Sequence, residues 1–188
     1  MDNTLFSTAM MMADKVIVKV SESNLHKPTP CSEWDVQQLT NHMLGELAWI
    51  APLIEGKTIA EVGTKYDGDL LKGDAARAWD QYCKEASEAM MKADPKGIAH
   101  LSYADKSNEA YVTEVSADII IHGWDLAQAL GEQYTIDDRT TDAITAAMQE
   151  LMPMARGAGM IAKELATDEN SSKMDKLLAN YGRSSNWK

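Results

Sequence analysis

Cysteine, basic charge and long apolar runs are all scarce in this sequence, and each scarcity removes a class of function. Cys31 and Cys83 are isolated, with no CxxC, so neither a disulfide framework nor a structural zinc knuckle is indicated. Lys and Arg number 18 against 29 Asp and Glu, a net charge of −11. That balance argues against a phosphate-backbone partner, because nucleic-acid binders carry basic patches, and no nucleic-acid partner is expected. No apolar run approaches the ~20 residues that span a bilayer. The acidic Asp2 and the lack of an uncharged apolar stretch behind a basic start do not read as a signal peptide. The expectation is a cytoplasmic protein with no membrane partner. Several catalytic signatures are missing too. There is no HExxH or ExxH for zincin or di-iron chemistry, and no GxSxG elbow. Gly157 to Ala162 matches GxGxxA but follows a helical stretch rather than a strand, so it is not read as a dinucleotide motif.

What is present suits a single domain over residues 1–188: 45% apolar residues, 25% charged, twelve Met and five Trp but one Phe. Met fills irregular gaps, which suits an adaptable helical core. Apolar spacing predicts a helix over 3–23, through Phe6, Met10, Ala13, Ile17 and Val20. Pro28 and Pro30 break the chain, and a second helix is expected from Ser32 as N-cap, with Asp35 at N3, to about Leu53. Four glycines within 56–73 mark a long loop. A third helix is predicted from Asp74 to about Lys92, an irregular stretch with room for a short hairpin over 98–108, and a fourth helix from near Glu109 to Leu130, closed by Gly131. A fifth is expected from Asp137 to near Pro153, a loop over 156–170, and a last helix from Ser172 to Asn180 closed by Gly182. Long helices without strong strand signals give an all-α fold class, a helical bundle with accessory short helices.

The fourth helix carries the question of function. Val115, Ile119, Ile120, Trp124, Leu126, Ala127 and Leu130 make it apolar over more than half its circumference, yet Asp118 and His122 stand four apart within it and share a face. A carboxylate in an apolar setting costs several kcal/mol unless paired. Either the two form a buried ion pair, or both bind a cation. Of the four histidines, His26 lies among polar residues and reads as exposed, and His100 reads as a surface loop residue. His42 sits beside the apolar stripe of the second helix, about one turn on from Leu39, and can point inward. His42, Asp118 and His122 make three candidate metal ligands from two helices, a set that leaves a position open for water or substrate. Glu46 and Glu114, one turn from His42 and Asp118, are candidates to support those ligands or act as a general base, with ordinary solvated helix charges as the alternative. No catalytic residue beyond these is assigned.

Three stretches, TPCSEWDVQQLTNHMLGE (29–46), DIIIHGWDLAQALG (118–131) and LLANYGRSSNW (177–187), together resemble the DinB-like bundles related to mycothiol-dependent maleylpyruvate isomerase. The resemblance runs through nearly the whole chain in order. It implies a DinB-like four-helix bundle holding a divalent metal on one His of the second helix and a carboxylate-x3-His pair of a later helix, here His42, Asp118 and His122. It also implies chemistry in which a low-molecular-weight thiol is activated at the metal. In the isomerase the carboxylate is Glu where this sequence has Asp118, and the isomerase has a further C-terminal domain whereas this sequence ends at Lys188. The metal site therefore carries over better than isomerisation does.

The expectation is a metal-dependent enzyme of thiol transferase or isomerase type, with zinc or nickel as cofactor and a small thiol and an electrophile as partners. Rival readings are a non-catalytic bundle that binds a metal or small ligand, and a structural Asp118–His122 pair with no metal. A homodimer is left open.

Overall fold

The computed structural model describes residues 3–187. Helices α1 (Thr4–Ile17), α2 (Val36–Ile54), α4 (Ala75–Met90) and α5 (Asn108–Leu130) form the bundle. α5 packs on α1 and α2, and α4 packs on the same two, so the four helices close a ring in the order α1–α5–α2–α4. α3 (Ile59–Val62) lies in the glycine-rich connection. β1 (Ile98–His100) and β2 (Asp105–Ser107) form an antiparallel hairpin leading into α5, with Ala99 opposite Lys106. α6 (Asp138–Met148), α7 (Leu151–Gly157) and α8 (Lys173–Asn180) follow, with α6 against α5 and α8 against α6. The fold is all-α apart from this one small hairpin among the described residues. No described helix is long and apolar enough to cross a membrane.

Three helix boundaries differ from the sequence expectation. α1 stops at Ile17 rather than continuing to residue 23. Asn24 ends it: its amide Nδ2 donates to the Lys19 carbonyl (2.9 Å), and its Oδ1 accepts from the Ser21 amide (2.9 Å). α2 begins three residues later than expected, with Asp35 rather than Ser32 as N-cap. Asp35 Oδ1 accepts from the Gln38 amide and Gln38 Oε1 accepts from the Asp35 amide, a reciprocal capping box. The next two orphan donors, Val36 and Gln37 N–H, go to the carbonyls of Lys27 and Leu25, so the chain before the helix completes its N-terminus. The expected fifth helix is broken between α6 and α7. In one continuous helix the Pro153 ring would meet the carbonyl of Gln149; restarting at Leu151 puts Pro153 in a first turn, where no N–H is needed.

α5 is the central element and both its ends are fixed. Ser107 caps its start by accepting from the Ala110 amide. At its end Gly131 takes a left-handed conformation (φ 76°), while Glu132 N–H bonds to Ala127 and Gly131 N–H to Gln128, a Schellman turn. Within it Ile119, Ile120, Ile121, Trp124 and Leu126 are buried in the common core with Leu39, Met43, Leu47 and Ile50 of α2. Gly123 makes room for Tyr134, whose ring and hydroxyl occupy the space a Cβ would fill. Asn108, 2% exposed, ties the start of α5 to the end of α2: its Nδ2 donates to the carbonyls of Ile54 (3.0 Å) and Asp94 (2.9 Å).

Asn108→Ala removes the donor from two main-chain carbonyls. A loss of about 1–3 kcal/mol is expected, since an unsatisfied buried group costs about that much. Urea unfolding checks it, and an unchanged midpoint would remove this link from the account.

Candidate metal centre

α2 and α5 bring His42, Asp118 and His122 together. His42 Nε2 lies 3.1 Å from Asp118 Oδ2, and His122 Nε2 lies 3.4 Å from Asp118 Oδ1. All three donor atoms fall within 4.8 Å of one another. The two imidazoles meet edge to face, 4.8 Å between centroids. The His122 side chain is 9% exposed, while His42 and Asp118 keep 27% and 34% exposed. The cluster is therefore seated on the core by His122 and open on the other two.

A tetrahedral zinc ion with bonds of about 2.0–2.1 Å separates its ligand atoms by about 3.3 Å. The contacts to Asp118, 3.1 Å from Oδ2 to His42 and 3.4 Å from Oδ1 to His122, run to its two oxygens and lie close to that spacing. The N, N, O donor set also suits a borderline divalent cation. These residues could hold such an ion without rearrangement of their helices.

Electrostatics follow from burial and pairing. Burial opposes ionisation of Asp118, but the adjacent His122 and His42 outweigh it and hold the carboxyl well below its usual range. Burial disfavours a charged His122, and Asp118 and Asp125 reverse this, raising it to about 9. Burial and the Asp118 charge push Glu46 up to about 7 against the pull of the two imidazoles. The two candidate glutamates thus separate. Glu46 lies in the field of the cluster, whereas the Glu114 carboxylate is engaged by Lys106 Nζ (2.8 Å) and the Tyr103 hydroxyl. His26 is exposed and paired with Asp35, and His100 pairs with Asp105 in the hairpin; neither joins the cluster.

Sequence reasoning missed four contributors. Asp125, fully buried, accepts from His122 Nδ1 at 3.0 Å, which leaves Nε2 facing Asp118. Such a carboxylate behind a histidine fixes tautomer and ring orientation. Asp125 is in turn held by Arg183, whose Nη2 donates to Oδ2 at 2.7 Å and whose Nε lies 3.2 Å from Oδ1. Arg183 reaches this position through the turn after α8: Gly182 (φ 75°) closes the helix as Arg183 N–H bonds to Leu178. A Cβ at Gly182 would meet Ala162 and the Lys163 carbonyl. Trp34 lies against both imidazoles, 4.6 Å from His42 and 5.6 Å from His122 between centroids. Cys31 completes the surroundings, its Sγ within 4.8 Å of a His122 nitrogen and an Asp125 oxygen. All four lie within the stretches that carry the family resemblance, and one had a local signal as well. Asp125 follows His122 by three residues, so it shares a helix face with it. Arg183 and Cys31 carried no local signal, because only the tertiary fold brings them to α5.

Arg183→Ala leaves the Asp125 carboxylate in the core without its guanidinium. Metal-free protein should lose roughly 3 kcal/mol, the cost of breaking a buried pair from one side. Denaturant titration reads this, and a loss of a few tenths would mean that Asp125 is satisfied by His122 alone.

The family described as Mycothiol maleylpyruvate isomerase N-terminal domain matches residues 12–127, a span that includes His42, Asp118, His122 and Asp125. Two uncharacterized proteins of Mycobacterium tuberculosis, from strains CDC 1551 / Oshkosh and ATCC 25618 / H37Rv, are each 28% identical over 177 residues, covering 89% of this chain and 90% of their own length. No solved structure matches significantly. With the family match spanning more than half of the chain, this protein belongs to the family of the mycothiol maleylpyruvate isomerase N-terminal domain, a DinB-like helical bundle.

Proposed function

We propose that His42, Asp118 and His122 hold one divalent cation, zinc or nickel, and that the chain uses it to activate a low-molecular-weight thiol for attack on an electrophilic carbon, as a transferase or isomerase of thiol-dependent type. The observation that carries this is one carboxylate set between two imidazole nitrogens at ligand spacing, on a face that stays open. The family name, with its mycothiol, supports the thiol.

A free thiol has a pKa near ~8.5 and is only a few per cent thiolate at neutral pH, whereas a coordinated thiol is deprotonated outright. The chain's own residues do the rest. Asp125 and Arg183 hold His122 in one orientation, and Trp34 packs against both imidazoles. Glu46 lies in the field of Asp118 and both imidazoles, and it is the group to which this reading gives the thiol proton. The protein thiols are poor nucleophiles. Burial raises Cys31, and burial pushes Cys83 up to about 12, with its Sγ against Met10 Sδ at 3.3 Å. The sulfur that attacks is therefore exogenous. The S–H proton leaves, an S–C bond forms, and the electrophile takes the electron pair.

Elemental analysis of untagged protein should find one ion per chain, lost in His42→Ala and kept in His26→Ala; equal content in both variants would contradict the ligand assignment. Thiol conjugation should need the metal and survive in the Cys31→Ser, Cys83→Ser double variant. Metal and thiol binding with no electrophile reacting faster would make the chain a binding protein instead.

The metal should also compete with a proton on His122. In metal-free protein that residue is raised from 6.5 to about 9, so it is charged at pH 7 and must lose a proton to ligate. Affinity should rise with pH, by up to about tenfold per unit, until about 9. The same shift stabilises the metal-free fold below 6.5, and that contribution is lost as pH climbs towards about 9. Competition titrations at several pH values check the first statement, and a flat affinity would contradict it.

A further inference from the structure

Tyr181 lies in the core, 4% exposed, and its hydroxyl is buried without a hydrogen-bond partner among the described residues. Sealing a hydroxyl from water without a partner is costly, so this one requires a reason. Its main chain is tied to the rear of the metal centre. Arg183 Nη1 donates to the Tyr181 carbonyl at 2.7 Å, while Nη2 of the same guanidinium donates to Asp125. Asp118, His122 and Asp125 follow one another at four- and three-residue spacing, so they form one stripe of α5 about two turns long. Tyr181 is thus one guanidinium away from the stripe that carries two of the three candidate ligands.

Three charged groups act on the phenol. Burial raises its pKa, and among the charges Asp118 comes first, ahead of Arg183 and Arg156. The two arginines have only donors to offer. Arg183 spends Nε and Nη2 on Asp125, and Arg156 spends Nη2 on Asn180. Asp118 is therefore the one of the three that can accept from the hydroxyl. In the metal-free protein its two oxygens are already engaged, Oδ2 by His42 Nε2 at 3.1 Å and Oδ1 by His122 Nε2 at 3.4 Å. Ligation changes that. An imidazole that gives its Nε2 lone pair to a cation carries no proton there, so neither ring can then donate to Asp118. The carboxylate oxygen that does not ligate is left without a protein donor, while the hydroxyl has no acceptor.

We infer that Tyr181 is a positioning residue for the metal centre: once a cation is bound, its hydroxyl donates to the oxygen of Asp118 that the cation leaves free. The inference rests on the reading of His42, Asp118 and His122 as metal ligands and is independent of what the centre acts on. It accounts for a hydroxyl kept where no molecule arriving from solvent can touch it. It also gives the end of α8 a second part in the site, with Tyr181 and Arg183 placed on either side of the left-handed Gly182.

Competition titrations with zinc on the full chain test it, with Tyr181→Phe as the variant and Tyr134→Phe as its control. Tyr134 also has a buried hydroxyl without a partner, but burial alone raises it. Tyr181→Phe should weaken zinc binding by roughly ten- to a hundredfold, the worth of a hydrogen bond to a charged group. The urea midpoint of the metal-free variant should stay level or rise, because no hydrogen bond is lost there. Tyr134→Phe should leave zinc affinity unchanged. The carbon resonance of Tyr181 Cζ, assigned by its loss in Tyr181→Phe, should shift on zinc addition as the hydroxyl gains an acceptor. Unchanged zinc affinity in Tyr181→Phe overturns the inference while the metal reading stands. A loss of affinity matched by a loss of metal-free stability, or shared by Tyr134→Phe, marks a packing effect and overturns it as well. Zinc binding that is absent from the wild type, or that survives in His42→Ala, removes the metal reading and the inference with it.

Discussion

One carboxylate between two imidazoles sets the terms for the rest of the molecule. Asp118 sits on a helix whose other residues are mostly core, and a charge there is costly unless several groups answer it. His42 from α2 and His122 from the next turn of α5 do so at 3.1 and 3.4 Å. Because the two imidazoles come from different helices, the pairing also fixes how α2 and α5 face each other. The capping at both ends of α5 and the Asn108 link to α2 hold that facing from outside the site.

Behind the cluster runs a chain of charge. His122 donates to Asp125, Asp125 takes the Arg183 guanidinium, and Arg183 depends on the left-handed turn at Gly182. The last turns of the protein therefore bear on the orientation of one imidazole in the middle of it. In front of the cluster Trp34 and the amides of α2 face Asp69 and Gly68 of the loop across a groove that meets the cluster at His42. The site is thus built with a charged rear wall that orients His122 and a groove at its front.

Most of the bundle could be read from the sequence, because three-to-four spacing of apolar residues marks each long helix and Gly131 and Gly182 mark two ends. The candidate ligands were legible for the same reason: a polar residue on an apolar stripe has to be accounted for. The errors fell where side chains compete with main chain. Asn24 stopped α1 early, Pro153 forced a break before itself rather than after, and the chain at Leu25 and Lys27 supplied bonds that let Asp35 take the cap from Ser32. Arg183, Trp34 and Cys31 all lie in the stretches that carry the family resemblance, but their roles were hidden, because nothing local in the sequence says that they converge on His122.

X-ray absorption at the metal edge of zinc-loaded Cys31→Ser, Cys83→Ser protein, with and without mycothiol, bears most directly on thiol activation at this centre. The account predicts two imidazole nitrogens and a carboxylate oxygen at about 2.0–2.1 Å, joined on addition of the thiol by one sulfur at about 2.3 Å. A first shell without two imidazoles, or one that gains no sulfur at saturating thiol, would contradict it.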